Sequence, residues 1–300
     1  NNKSQITTTT YDVDFYNGSL PPLFPIPAVE NLRGRVSAAA VYDTQLAYDQ
    51  GKPEYITHYS YDIHGNVKAL VQVGKNTPQK LIEYDFDLIS GKVNEVHYQR
   101  NKNDQYIHRY QYDADNRLTM VYTSANGIHW DEDAHYMYYP HGPLARTEIG
   151  EDEIQGIDYA YTLQGWIKGV NSAYLRTHTD MGHDGLKASE HKYFGQDVVG
   201  YVLNYFDGDY DNIGQSGPAD RFDSKMAGSY ALQPQENLYN GNIRAMITAI
   251  RPFMQAGSPA GYKYQYDQLH RIKGMDYYTG MNINNWSSAS VSTDYQTRYS

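Results

Sequence analysis

The sequence predicts an all-β chain of consecutive hairpins laid side by side into a coiled strip, and three observations predict it. A pair of aromatic residues two positions apart recurs along the chain, a turn signal follows each pair, and a β-rich run follows each turn. Measured between the second aromatics, at positions 61, 86, 112, 138 and 161, the intervals are 25, 26, 26 and 23 residues. A period in that range marks an architecture whose units cannot bury an apolar face alone, so neighbours must stack.

The clearest unit runs from Tyr110 to Val121. Tyr110 and Tyr112 leave one face of an extended backbone while Gln111 leaves the other. Asp113 can accept from backbone N–H groups just beyond it, which ends the strand and starts a turn. Asn116 tolerates positive φ as glycine would, and Leu118 to Tyr122 resumes a strand, giving a β-hairpin. Tyr59, Tyr61, Asp62 and Gly65 repeat the arrangement, as do Tyr84, Phe86, Asp87 and Gly91 with one residue added in the turn. Tyr136, Tyr138 and Gly142, then Tyr159, Tyr161 and Gly165, keep aromatics and glycine but put Tyr139 and Thr162 where aspartate stood. Tyr264, Tyr266 and Asp267 with His270-Arg271-Ile272 form the last full copy. Three residues past each post-turn aliphatic lies another apolar side chain, Leu70, Val96, Val121, Val170 and Met275, with Thr147 the exception. The step of 105 residues from 161 to 266 predicts decayed copies between, traced at Gly241-Asn242-Ile243; Gly34-Arg35-Val36 is a second trace near the start.

These Tyr-x-Tyr-Asp-x-x-Gly/Asn-Arg/Asn-Leu motifs resemble the YD-repeat, or Rhs-repeat, family of bacterial polymorphic toxins, Tc-toxin cocoon subunits and teneurins. The resemblance covers about residues 31 to 300 and is weakest from 172 to 260. It implies that the coiled strip forms part of a hollow β-shell enclosing a polypeptide cargo such as a C-terminal toxin, without cofactor, metal or catalytic residue. The partners it implies are the adjacent repeats, the cargo, and a secretion-system or cell-surface protein. Adhesin-like relatives imply the alternative, a cell-surface module that binds glycans or a neighbouring protein. Toxin-bearing relatives cleave themselves at a region whose signature holds an Asp-Pro pair; this sequence has none, so that activity is not carried over.

Composition agrees with a thin β-wall. Tyrosine supplies 32 residues against 7 phenylalanines, and the mean hydropathy is −0.72; a tyrosine ring packs while its hydroxyl stays wet or finds a partner. A net charge of −10 argues against a nucleic-acid backbone or an anionic membrane surface as partner. No run approaches a transmembrane helix in length, so membrane insertion is not expected. The absence of cysteine excludes thiolate chemistry and is ordinary for a bacterial secreted protein. The sequence opens without methionine and ends at Tyr299-Ser300, which repeats Tyr59-Ser60. It therefore reads as a piece of a longer secreted or surface protein, with its targeting signals elsewhere.

Four regions are expected: an extended proline-rich segment over 1–30, hairpins over 31–171, degenerate repeats with long loops over 172–238, and hairpins over 239–300, cut within a repeat. Pro21, Pro22, Pro25 and Pro27 deny ladder donors to the first region, and Leu20, Leu23, Phe24 and Ile26 favour its burial over a role as a polyproline ligand. A short helix about Leu186 to Lys192 and a strand through Tyr201, Leu203 and Tyr205 are expected in the third.

Candidate chemistry is weak. His178, His183 and His191 with Asp180 and Asp184 match no compact zinc spacing and read as solvated loop residues. Asp207-Gly208-Asp209-Tyr210-Asp211-Asn212 alternates acids as a calcium loop does, but Asn212 and Pro218 stand where an EF-hand needs glycine and glutamate. Asp131, Glu132 and Asp133 beside Trp130 read as a charged hairpin tip, since consecutive acids in a strand cannot converge on one glycosidic bond. Gly214-Gln215-Ser216-Gly217 lacks the last glycine of a nucleophile elbow. Tyr61, Tyr112, Tyr161 and Tyr266 could stack on sugars, but their period favours packing on adjacent hairpins.

Overall fold

The computed structural model describes residues 5–13, 29–175, 179–211, 222, 237–251, 258–281 and 290–298, in two compact units that divide after Asp133. The described residues form seventeen strands, whose ladders are all antiparallel, and one short helix. None of them forms a helix long and apolar enough to cross a membrane.

In the first unit β1 (Ile6–Tyr11), β2 (Val36–Tyr42), β3 (Tyr55–Tyr61), β4 (Val67–Gly74), β5 (Thr77–Phe86), β6 (Val93–Tyr98), β7 (Tyr106–Tyr112) and β8 (Leu118–Ser124) each pair with the next. A five-residue helix, α1 (Gln45–Asp49), interrupts the connector between β2 and β3. Thr44 caps it, its hydroxyl accepting from Ala47 N–H at 3.1 Å. Ala38, Ala40, Tyr42 and Ile56 form the small core under β1 and β2.

The second unit follows the same rule. After β9 (Asp131–Tyr138), whose ladder begins at Ala134, come β10 (Leu144–Ile149), β11 (Gln155–Tyr161), β12 (Ile167–Val170), β13 (Val199–Asn204), β14 (Ala245–Ile250), β15 (Ala260–Tyr266), β16 (Ile272–Thr279) and β17 (Ser290–Arg298), again paired in sequence. Its core gathers Ala160, Ala173, Val202, Phe222, Ala245, Ile247, Tyr278 and Met281.

The six full copies share one register. The second aromatic faces the post-turn aliphatic in Tyr61↔Val67, Phe86↔Val93, Tyr112↔Leu118, Tyr138↔Leu144, Tyr161↔Ile167 and Tyr266↔Ile272, and a β-bulge follows at once. The bulge explains the three-residue spacing of the apolar positions. In a regular strand residues three apart point to opposite faces; the extra residue returns Leu70, Val96, Val121, Val170 and Met275 to face Tyr59, Tyr84, Tyr110, Tyr159 and Tyr264.

The same register uncovers two further copies with interrupted turns. Tyr11 faces Val36 and Thr9 faces Ala39, while Asp12 N–H donates to the Arg35 carbonyl at 3.2 Å. The sequence reading found no repeat in the first thirty residues, because more than twenty residues separate the two halves of this turn. Likewise Leu203 faces Met246, three past Ile243, and Tyr205 stands where the second aromatic belongs. Residues 184–194 are turns, so the helix expected there is absent. The proline stretch over 21–27 lies outside the described residues.

Candidate functional site

The turns that keep the aspartate are closed by its side chain. Asp113 N–H donates to the Arg117 carbonyl at 3.0 Å and Asn116 N–H to the Asp113 carbonyl at 3.0 Å. The Asp113 carboxylate accepts from Asp115 N–H and Arg117 N–H, both at 2.9 Å, and from Arg117 Nε at 2.7 Å. Asp267 repeats this with Leu269 N–H, Arg271 N–H and Arg271 Nε at 2.8, 3.0 and 2.7 Å. Asp62 uses Asn66 in the same way, and Asp87 accepts from Ile89 and Ser90 N–H. At the fourth turn position Gly65, Gly142, Gly165, Asn116 and His270 have φ of 96°, 117°, 82°, 60° and 62°; Gly91 has 70° one residue later, after the added residue.

The second aromatic ties its hairpin to the one before. Tyr61, Tyr112 and Tyr266 donate their hydroxyls to the carbonyls of Val36, Val93 and Ile243 at 2.8, 2.8 and 2.7 Å, and Tyr205 donates to Ile167 at 2.7 Å. Each acceptor is the post-turn aliphatic of the preceding copy, and at Val36, Val93 and Ile167 it lies where a bulge interrupts the ladder. Phe86 has no hydroxyl to offer. Tyr139, in an aspartate position, reaches forward to the Tyr159 carbonyl at 2.7 Å. Burial pushes the Tyr205 and Tyr139 hydroxyls up to about 12, with Asp209 adding to the first and Tyr210 and Asp158 to the second.

A different arrangement occupies the irregular part of the second unit. Arg146, in β10, is 4% exposed and gives Nη1 to Asp158 at 2.6 Å, Nη2 to Asp184 at 2.7 Å and Nε to Glu148 at 2.8 Å. The Phe194 ring lies 4.8 Å from its guanidinium carbon. Gly156 and Gly182 flank it so closely that a Cβ at either would overlap the guanidinium. One oxygen from each of Asp158, Asp180 and Asp184 lies within 4.8 Å of the others, and all three residues are buried. Asp197, 4% exposed, lies within hydrogen-bonding reach of the Asp180 carboxylate and feels the charges of Asp184 and Asp158. Both Asp197 oxygens, Asp180 Oδ1 and Asp184 Oδ2 have no donor among the described residues. Burial, reinforced by Asp180, pushes Asp197 up to about 9; burial also raises Asp158 to about 7 against the pull of Arg146, and raises Asp184.

Neither a family model nor a curated protein matches this sequence. Among solved structures, a chain of "Crystal Structure of TcdB2-TccC3-Cdc42" matches with TM-score 0.50 and 14% identity, over 83% of this chain and 10% of that one. The chain has the YD-repeat fold. The form of TcdB2-TccC3 without its hypervariable C-terminal region matches at TM-score 0.40 and 13% identity, over 96% of this chain and 15% of that one. A Photorhabdus luminescens Tc holotoxin pore matches at TM-score 0.28 and 13% identity, over 88% and 12%. The chain thus spans about a tenth to a seventh of the chains it matches.

The other sequence candidates lie elsewhere in this fold. Asp180 and Asp184 are buried, so the solvated-loop reading fails for them; His191 is half-buried with Nδ1 2.8 Å from the Gly182 carbonyl, and His178 lies outside the described residues. Asp209 of the calcium-like loop is bound to fully buried Lys168 at 2.7 Å and to Tyr205 N–H at 2.9 Å; Asp207 meets Arg244 at 3.2 Å. The burial of Lys168 lowers its pKa, against the opposing charge of Asp209. Asn212 and the segment 214–217 lie outside the described residues. Asp131, Glu132 and Asp133 open β9 instead of capping a tip, and Trp130 packs under the Arg109 guanidinium at 3.6 Å. Asp85, Glu95 and His97 also sit together, but Arg100 and Arg109 reach Asp85 and Glu95 at 3.0 and 2.7 Å. The sequence reading did not single out Arg146, Asp158 or Asp197.

Proposed function

We propose that the chain is a wall segment of a secreted YD-repeat shell, that it holds a polypeptide cargo such as a C-terminal toxin away from solvent, and that its residues carry out no reaction. The observation that carries this reading is the hydroxyl bond from one hairpin to the one before it. It recurs at Tyr61, Tyr112, Tyr205 and Tyr266, and at these four places one hairpin completes its neighbour, as a wall requires.

In this reading the repeat residues act structurally. The aromatic pairs fill the space between hairpins, and Asp62, Asp87, Asp113 and Asp267 fix the turns. A glycan-binding surface would need rings open to solvent along the repeat. Tyr61 is only 8% exposed, Tyr112 and Tyr266 are half-buried, and all three hydroxyls are held by the backbone. Partners beyond the adjacent repeats are the cargo and a secretion-system or surface protein.

Limited trypsin digestion of the intact protein tests the proposal. The polypeptide following the repeats should resist cleavage while the strip is folded and become sensitive after mild denaturation. Cleavage of that polypeptide at the rate of its isolated form, with the strip intact, would overturn the enclosing role.

A further inference from the structure

The buried carboxylates of the second unit do not balance. Asp158, Asp180, Asp184 and Asp197 are buried and half-buried Glu148 adjoins them, and among the described residues Arg146 is the one permanent cation there. Its hydrogen bonds go to Asp158, Asp184 and Glu148, and among the described residues Asp180 and Asp197 have no cationic partner. Asp180 takes one backbone bond, from Asp184 N–H at 3.0 Å to Oδ2, and its Oδ1 has none. Asp197 is more than nine-tenths buried, neither of its oxygens meets a donor among the described residues, and the Asp180 carboxylate lies within hydrogen-bonding reach of it. A buried carboxylate without donor or counter-charge is among the costliest arrangements a protein can hold, and orphaned groups of this kind point to an ion or water.

We propose that Asp158, Asp180 and Asp184 bind one calcium ion, with Asp197 completing the site beside Asp180. The donor set is all oxygen, which selects a hard cation. Two Ca–O bonds of about 2.4 Å span at most about 4.8 Å, the distance within which the oxygens of Asp158, Asp180 and Asp184 lie. Magnesium demands a tighter octahedron and retains several waters, which suits four crowded carboxylates poorly. His191 is not a ligand here, because its Nδ1 faces the Gly182 carbonyl and its Nε2 faces Glu148 at 3.6 Å. Asp207 and Asp209, the acids that look most like a calcium loop in sequence, have cationic partners already. The ion would tie β11 to the segments carrying Asp180, Asp184 and Asp197, fastening an irregular excursion onto the regular strip.

Calcium chloride added to the EDTA-stripped chain tests this directly. Saturating calcium should raise Tm by roughly 5 °C at a hundredfold excess over Kd, with a one-site isotherm by calorimetry, and magnesium chloride at the same concentration should do markedly less. Asp197→Asn and Asp180→Asn should abolish the isotherm, while Asp131→Asn, on an exposed acid outside the cluster, should leave it unchanged. If either cluster variant fails to fold, the wild-type calcium and magnesium isotherms decide alone. A wild-type chain whose Tm and calorimetric signal ignore calcium would overturn the proposal and assign the pair a shared proton instead. Calcium binding that survives both cluster substitutions, or an equal response to magnesium, would overturn it as well. None of these outcomes depends on whether the strip encloses a cargo, so the two proposals fail separately.

Discussion

The turn at Asp113 and the cluster around Arg146 use the same pair of residue types for opposite ends. At the turn, carboxylate and guanidinium are four residues apart, near solvent, and bonded to their own backbone. In the cluster one guanidinium is drawn from β10 to acids 12 and 38 residues away, inside the protein. The first arrangement follows from local chemistry and can be copied in every repeat. The second exists only once the chain between Asn171 and Val199 has folded back over β10 and β11, and it depends on close approaches at Gly156 and Gly182. A repeat fold therefore stabilises its regular part through many small identical contacts, and its excursions through a few buried ones.

That difference is sharpest when the central cation is removed. Arg146→Met keeps most of the volume but leaves buried Asp158 and Asp184, and half-buried Glu148, without that cation. The loss should be about 3–5 kcal/mol, seen by urea denaturation as a lower midpoint for the second unit. Arg117→Met, which removes the equivalent group from a half-exposed turn, should cost under about 1 kcal/mol. Equal losses would break the contrast. A smaller effect is expected from Gly156→Ala, whose Cβ must displace the guanidinium, at about 1–3 kcal/mol.

What was legible in the sequence divides along the same line. Strand, turn and strand of all six full copies could be read because each depends on residues within a few positions of one another, as Asp113, Asn116 and Leu118 do. The bulge left its signature in the three-residue step from Val67 to Leu70, but the step reads as a face change until the extra residue is seen. Tyr205 was noticed as strand-like yet not as a repeat aromatic, because Asp209, four residues on, is committed to Lys168 and Tyr205 N–H within an enlarged turn. Asp158 and Asp197 left no signal. Asp158 alternates with Tyr159 as any outward polar residue would, and only the fold brings position 197 to it.

The hydroxyl bonds give the next test. Tyr112→Phe removes the donor to the Val93 carbonyl and keeps the ring, so the expected loss is about 0.5–1.5 kcal/mol in the first unit. Phe86→Tyr, which offers a hydroxyl where the repeat lacks one, should recover part of this if the Val67 carbonyl lies in reach as Val93 does for Tyr112. A Tyr112→Phe variant as stable as the parent would mean that ring packing alone joins the hairpins.

The smallest effect concerns the turn carboxylates and has a definite sign. Backbone N–H groups of Arg117, Arg271 and Ser90 hold Asp113, Asp267 and Asp87 below the ordinary carboxylate value. A group whose folded pKa is depressed contributes stability that is fully present above its unfolded value, near 4, and is lost as pH falls through the lower folded value. The turns should therefore hold at about pH 5 and loosen progressively below about pH 4. Amide exchange at Asp115, Arg117, Leu269 and Arg271, the donors that these carboxylates anchor, should accelerate over that range beyond the intrinsic pH trend. Carboxyl resonances of Asp113 and Asp267 that titrate at or above the ordinary value would show that the turns close through the backbone bonds alone, and the aspartate of the repeat would then need another reason to recur.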